Sequence, residues 1–201
     1  VCAYNKDTVL ADFLTTGTYA ASRTFYKPSS PSVDILISSN LERLLCHVSG
    51  SSEKVAGWMQ ELNTTGKYTV DAETLEKIRQ TFAAGYADDA EGAAEIKARF
   101  DEDHYLCDTH TAVAFRVAET LRTEAPMVVL STASPFKFCA SVLDALGVTE
   151  HAPGTGVLGQ LTAETGRPAP KPLASLAGKP VRFDQVTDRG DMRAVVTEFL
   201  R

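Results

Sequence analysis

The sequence predicts an α/β chain, mostly helical with few strands. Three observations carry that reading. Met127-Val128-Val129-Leu130 is an apolar run of the kind that makes a buried strand. It turns through Ser131-Thr132-Ala133 into Ser134-Pro135, a good N-cap followed by proline at the favoured first helical position, so helix, strand, tight turn and helix follow in order. The composition is that of a globular chain: 201 residues, 44% hydrophobic and 23% charged, enough for one good core or one core with an appended lobe. Only the segments at 1–4 and 127–130 read strongly as strands, whereas a wound sheet needs four or more, so part of the sheet is expected to lie outside these residues. The start at Val1, with no initiator Met and no basic signal-peptide region, supports the same expectation.

Taken in order, Val1 to Tyr4 is a short buried strand that stops at Asn5-Lys6-Asp7, with Asp7 as N-cap of a helix carrying Val9, Leu10, Phe13 and Leu14. Gly17 closes that helix. Thr18 to Pro31 reads as irregular, and long ordered loops are often functional. Val33, Ile35 and Ile37 suggest a short extended segment. Ser39 and Glu42 then have capping-box spacing ahead of Leu41, Leu44, Leu45 and Val48. Helical spacing returns at Val55, Trp58, Met59 and Leu62, and again at Leu75, Ile78 and Phe82. Residues 50–103 therefore read as a helical lobe, while 1–49 and 104–147 read as parts of one α/β domain. Val113, Val117 and Leu121 mark another helix, and Val142, Leu143 and Leu146 one that ends at Gly147. Residues 148–201 form a loop-rich tail with a final helix carrying Met192, Val195, Val196 and Phe199.

Twenty basic against 26 acidic residues leave a net charge of −6 with no basic cluster, which argues against nucleic acid as a partner. No apolar run is long enough to span a membrane. Cys2, Cys46, Cys107 and Cys139 are widely spaced among apolar neighbours and read as reduced, mostly buried thiols of a cytoplasmic protein. Cys107 with His110, and Cys46 with His47, lack the further ligands that zinc needs, so no metal site is expected. Gly154-Thr155-Gly156-Val157-Leu158-Gly159 spells a dinucleotide fingerprint, but His151-Ala152-Pro153 precedes it where a strand is required. It reads as a loop. The segment 128–138 stands apart: two hydroxyls, Ser131 and Thr132, sit at the carboxyl end of a strand, where they either satisfy the turn backbone or, as in open α/β sheets, hold a ligand.

Ser131-Thr132-Ala133-Ser134-Pro135-Phe136-Lys137-Phe138 resembles the S-T-A-x-P-x-K-F segment of the threonine synthase family. Asn5-Lys6-Asp7 with Thr16-Gly17 resembles its N-x-N-D…T-G segment. Pro31-Ser32-Val33-Asp34-Ile35 and Ser38-Ser39-Asn40-Leu41-Glu42-Arg43 resemble P-S-M-D-I…S-S-N-F-E-R. Asp108 to Ala114 resembles D-P-H-T-A-V-A, with Thr109 in place of proline. The likeness covers residues 1–147, is weak in the tail, and corresponds to the carboxyl half of the family.

The resemblance implies part of the cofactor domain of a fold-type II pyridoxal-phosphate enzyme that converts O-phosphohomoserine and water to threonine and phosphate. It implies that Thr132, with Ser131 next, contacts the pyridine nitrogen. A neutral hydroxyl, unlike a carboxylate, does not hold that nitrogen protonated. Ser38, Ser39, Asn40, Arg43 and Lys137 are candidates for the substrate side, since a helix N-terminus with an arginine suits a phosphate ester. The family's Schiff-base lysine and phosphate-holding glycine loop match no segment here. The chain is therefore expected to contain no catalytic residue, to bind no cofactor alone, and to need a missing amino-terminal half as its partner. Apolar surface left uncovered would promote self-association. Two alternatives stay open: a non-catalytic interaction module of the same fold, and another small-ligand-binding α/β domain.

Overall fold

A computed structural model describes residues 1–24, 26–31 and 36–201. Its first core is built on two short strand pairs. β1 (Cys2–Tyr4) lies parallel to β4 (Ala84–Tyr86), with Cys2 opposite Ala84 and Tyr4 opposite Tyr86. A parallel pair requires a long crossover, and the intervening chain supplies the helices that cover it. α1 (Val9–Thr16) buries Val9, Phe13 and Leu14 at helical spacing. Gly17 ends it at φ 78°, a left-handed conformation that side chains resist, and a Cβ there would stand 3.0 Å from Leu75.

β2 (Thr18–Ala20) leaves that corner and pairs antiparallel with β3 (Lys67–Thr69). β3 is entered the same way, from α3 (Ser52–Thr65) through Gly66. Thr15-Thr16-Gly17-Thr18-Tyr19 and Thr64-Thr65-Gly66-Lys67-Tyr68 therefore build the same helix-to-strand corner twice. The two corners bond reciprocally: Ala21 N–H donates to Gly66 O at 2.9 Å and Val70 N–H to Gly17 O at 3.0 Å. Tyr19 and Tyr68 are register partners, both buried, with rings stacked 5.4 Å apart at 6°. α2 (Leu41–Ser49) and α4 (Ala72–Arg79) complete this core with Leu41, Leu45 and Ile78.

The second core lies among α5 (Asp89–Asp103), α6 (Thr109–Thr120), a 3-10 turn at Pro135–Lys137, α7 (Cys139–Ala145) and α8 (Gly156–Thr165). Ile96, Ala112, Phe136, Val142, Leu143 and Leu161 fill it. Gly85 lets β4 lie against α6: a Cβ there would stand 2.7 Å from Val117 Cγ1, so the close approach requires a residue with no side chain. After α8 the chain runs through α9 (Lys171–Ala174) to α10 (Met192–Phe199), neither of which buries a residue.

Most predicted helices are present, and several expectations need correction. Thr8, not Asp7, is the N-cap of α1: the Asp7 side chain turns away from the helix, its Oδ1 accepting from Tyr26 N–H at 3.4 Å. Ser39 and Glu42 form no capping box: α2 starts at Asn40 with no side-chain cap, and Asn40 Oδ1 instead accepts from Arg43 Nη2 at 2.7 Å. A complete box stands at Asp88 and Glu91. β2 falls within the stretch read as irregular, and 50–103 supplies β3 and β4 as well as helices. Gly156 to Gly159 are the first turn of α8, not a loop, because Val157, Leu158 and Leu161 pack on the second core. Of the proposed extended segment, Val33 and Ile35 lie outside the described residues, while Leu36 and Ile37 form a bend.

The largest correction is at Met127 to Leu130, which is neither a strand nor buried: Val128 is 83% and Leu130 75% exposed. An extended run becomes a strand only with a neighbour to bond to, and among the described residues none lies beside it. The following turn is a three-residue 3-10 segment capped by Ser134 Oγ, which accepts from Phe136 N at 3.3 Å. It is too short to contribute much helix dipole. Cys107 and Cys139 are buried as expected, Cys2 is half-buried, and Cys46 is exposed on α2. Among the described residues no helix is long and apolar enough to cross a membrane.

Candidate functional site

The site begins with Asp108, which is 0% exposed at the start of α6. Its Oδ1 caps the helix, accepting from the backbone N–H of His110 at 2.8 Å and of Thr111 at 3.3 Å. The same oxygen lies 3.2 Å from His110 Nδ1. Its Oδ2 accepts from the Thr111 hydroxyl in a short hydrogen bond. Burial pushes the Asp108 pKa up, but the hydrogen bonds from His110 and Thr111 outweigh it and leave the carboxyl below its ordinary value. Asp108 is thus an ionised acceptor with its two oxygens committed in two directions.

One direction leads to a cavity of about 570 Å³, walled by β1, α1, the 36–40 loop, His110 and Val113. Ser38, Ser39 and Asn40 line it, together with Tyr4, Asn5 and Asp7. The 36–38 loop is held by the buried Tyr19, whose hydroxyl donates to Leu36 O and accepts from Ser38 N–H, each at 2.7 Å. Asn5 Nδ2 donates to Ser30 O at 3.1 Å, and His110 Nε2 lies 3.2 Å from Pro31 O. Two buried polar atoms of lining residues, Asp7 Oδ2 and Ser30 Oγ, have no hydrogen-bond partner among the described residues. Unpaired buried polar atoms are uncommon and mark places where a ligand or a bound water is expected. With its side chain turned to Arg43, Asn40 leaves the first N–H groups of α2 without a side-chain cap.

The other direction leads to Ser131. Thr111 Oγ1 lies 3.2 Å from Ser131 Oγ, which also accepts from the Tyr105 hydroxyl at 3.0 Å. Thr111 has one proton and two neighbours; the carboxylate can only accept, so that proton goes to Asp108 and Ser131 donates to Thr111. Thr132 is exposed and makes no hydrogen bond among the described residues. Of the two hydroxyls, Thr132 is therefore the one with a proton to give.

The structure thus brings Ser38, Ser39 and Asn40 into one cavity with His110, and ties that histidine through Asp108 and Thr111 to Ser131. It does not bring in Arg43, which is exposed and folded back on Asn40, or Lys137, which is exposed beyond the 3-10 turn; neither lines the cavity. Sequence reasoning named Asp108 and His110 only in a family-like segment and as no metal site, and missed Asp7 and Ser30 as site residues. For Asp108 the signal was present as an Asp-x-x-Thr start to a helix. For Asp7 and Ser30 none existed, since they meet across separate segments. Burial and the adjacent Asp108 push the Cys107 thiol up to about 12, so it is no nucleophile. Among the described residues no three His, Cys, Asp or Glu side chains gather as a metal site would require.

Residues 111–197 match a family described as "Threonine synthase, C-terminal", which carries the likeness well into the tail beyond residue 147. The threonine synthase of Saccharomyces cerevisiae is 34% identical over 163 residues, covering 72% of this chain and 32% of that protein. Human threonine synthase-like 1 is 35% identical over 156 residues, covering 75% of this chain and 21% of that protein. Among solved structures, yeast threonine synthase superposes with a TM-score of 0.81 at 28% identity over 99% of this chain and 41% of that one. A pyridoxal-phosphate-bound threonine synthase from Brucella melitensis gives 0.69 at 40% identity over 76% of this chain and 33% of that one. The chain therefore spans about a fifth to two fifths of the length of these relatives.

Proposed function

Because the chain belongs to the threonine synthase family, matching the carboxyl-terminal part of those enzymes, we propose that it supplies that part of a pyridoxal-phosphate enzyme of fold type II. The reaction is conversion of O-phosphohomoserine and water to threonine and phosphate. The observation that carries this reading is Asp108, whose two oxygens link the cavity that includes Ser38, Ser39 and Asn40 to the hydroxyl-bearing segment 131–132.

The residues present suit the cofactor. Thr132 carries an exposed hydroxyl with a free proton, suited to an unprotonated ring nitrogen, while Ser131 is held in place behind it. When bound, pyridoxal phosphate supplies the electron sink for replacement at the substrate's β and γ carbons. On the other side, Ser38, Ser39 and Asn40 line the cavity and offer hydroxyl and amide donors to a phosphate ester. Asp7 Oδ2 and Ser30 Oγ, which have no partner among the described residues, offer polar atoms to the rest of the substrate.

No lysine here sits in a segment like the family's Schiff-base motif, so this part works with an amino-terminal part that carries it. The experiment joins the two parts, adds pyridoxal phosphate and O-phosphohomoserine, and follows threonine and phosphate. Turnover is expected from the joined parts and none from this chain alone. Robust turnover by this chain alone, or none by the joined parts, overturns the proposal.

A further inference from the structure

We propose that Ser131 and Thr111 are positioning residues that hold the Thr132 hydroxyl in place for the cofactor ring, an inference that rests on the assignment of Thr132 to that ring. Among the described residues the segment 127–133 has no strand beside it, and its apolar side chains Val128 and Leu130 stand in solvent. Among the described residues, its hydrogen bonds to the body of the protein are those of a single side chain, Ser131. Ser131 meets Tyr105, just beyond the C-cap of α5, and Thr111, in the first turn of α6. Thr111 is 2% exposed and anchored in turn by the fully buried Asp108.

The clamp has a fixed polarity. Asp108 accepts from Thr111, Thr111 accepts from Ser131, and Ser131 accepts from Tyr105. Ser131 therefore keeps one orientation and has no proton left for a ring nitrogen. Thr132, the next residue along the backbone, is fixed by it without being touched. The role of Ser131 is distinct from that of Thr132: one residue binds the protein and the other the cofactor.

The test uses the joined parts of the enzyme and reads pyridoxal-phosphate affinity and the visible absorption band of the bound cofactor. Thermal unfolding without cofactor serves as the check on folding. Ser131→Ala and Thr111→Val are expected to weaken cofactor affinity about five- to tenfold and to shift the band. Thr111→Ser, which keeps the hydroxyl, is expected to restore both to within about twofold. Thr132→Val should match or exceed the loss. If Ser131→Ala and Thr111→Val keep the wild-type affinity and band while Thr132→Val does not, the clamp is overturned and the cofactor assignment survives. If Thr132→Val is also silent, or the joined parts bind no cofactor, both are overturned. Should Thr111→Val fail to fold, Ser131→Ala, which removes only an exposed hydroxyl, decides alone.

Discussion

Asp108 and Ser131 are joined through one atom, the hydroxyl oxygen of Thr111, which gives its proton to the first and lies 3.2 Å from the second. A helix cap and a ligand-facing loop are thereby parts of one network. Asp108→Ala removes the cap of α6 and strands the buried Thr111 hydroxyl, which together should cost roughly 3 kcal/mol. Urea denaturation of the variant checks this; a loss below about 1 kcal/mol would mean the network contributes little.

The same carboxylate sets a pH dependence. Its pKa is lower in the folded than in the unfolded chain. The stability it contributes is therefore fully present above the ordinary carboxylate value near pH 4 and is lost as pH falls through the folded value. Denaturation midpoints measured from pH 7 down to about pH 2 should show wild type losing an increment that Asp108→Asn does not lose.

Tyr19→Phe keeps the ring and its stack but removes the hydroxyl between Leu36 O and Ser38 N. The expected cost is about 1–2 kcal/mol. The cavity rim loosens at the same time, so ligand dissociation constants should rise even where the fold persists. Calorimetric titration of the enzyme with O-phosphohomoserine reads the second effect separately from the first.

Gly85→Ala places a methyl 2.7 Å from Val117 Cγ1, against a side chain with no exposure. Overpacking of this kind costs about 1–3 kcal/mol. Pairing it with Val117→Ala should recover much of the loss, and thermal melts of the two single variants and the double variant form the cycle that tests it.

Leu130→Lys should leave the unfolding free energy of this chain within about 0.5 kcal/mol of wild type, since the side chain is 75% exposed. In the enzyme joined to its amino-terminal part the same change should weaken assembly. Sedimentation of the chain with and without that part distinguishes the two effects.

The helices were legible because their apolar spacing survives any tertiary detail: Val9, Phe13 and Leu14 in α1, or Val113 and Val117 in α6, face a core whatever else packs there. Caps were less so. Ser39 and Glu42 have the spacing of a box, yet Asn40 is the N-cap and its side chain meets Arg43 instead. Strandedness at 127–130 could not be read locally at all, since a strand is defined by its neighbour. The hydroxyls at 131–132 stood out as a ligand segment, and Ser38, Ser39 and Asn40 do border one cavity. The contact of Asp108 and Thr111 with Ser131 joins residues from separate elements, and no spacing rule announces it.

The twice-built corner at Gly17 and Gly66 governs how the chain comes together. Each corner leaves a tyrosine with one face uncovered, and each leaves one carbonyl for the other to use. Neither is complete by itself, and a two-stranded pair of this length is not stable alone. The first corner must wait until α2 and α3 have been made and the loop between the two closed, an entropic toll that delays the first core until its last piece arrives. Emission from Trp58, whose ring stacks 6.4 Å from that of Tyr68, would therefore report the docking of one corner on its copy.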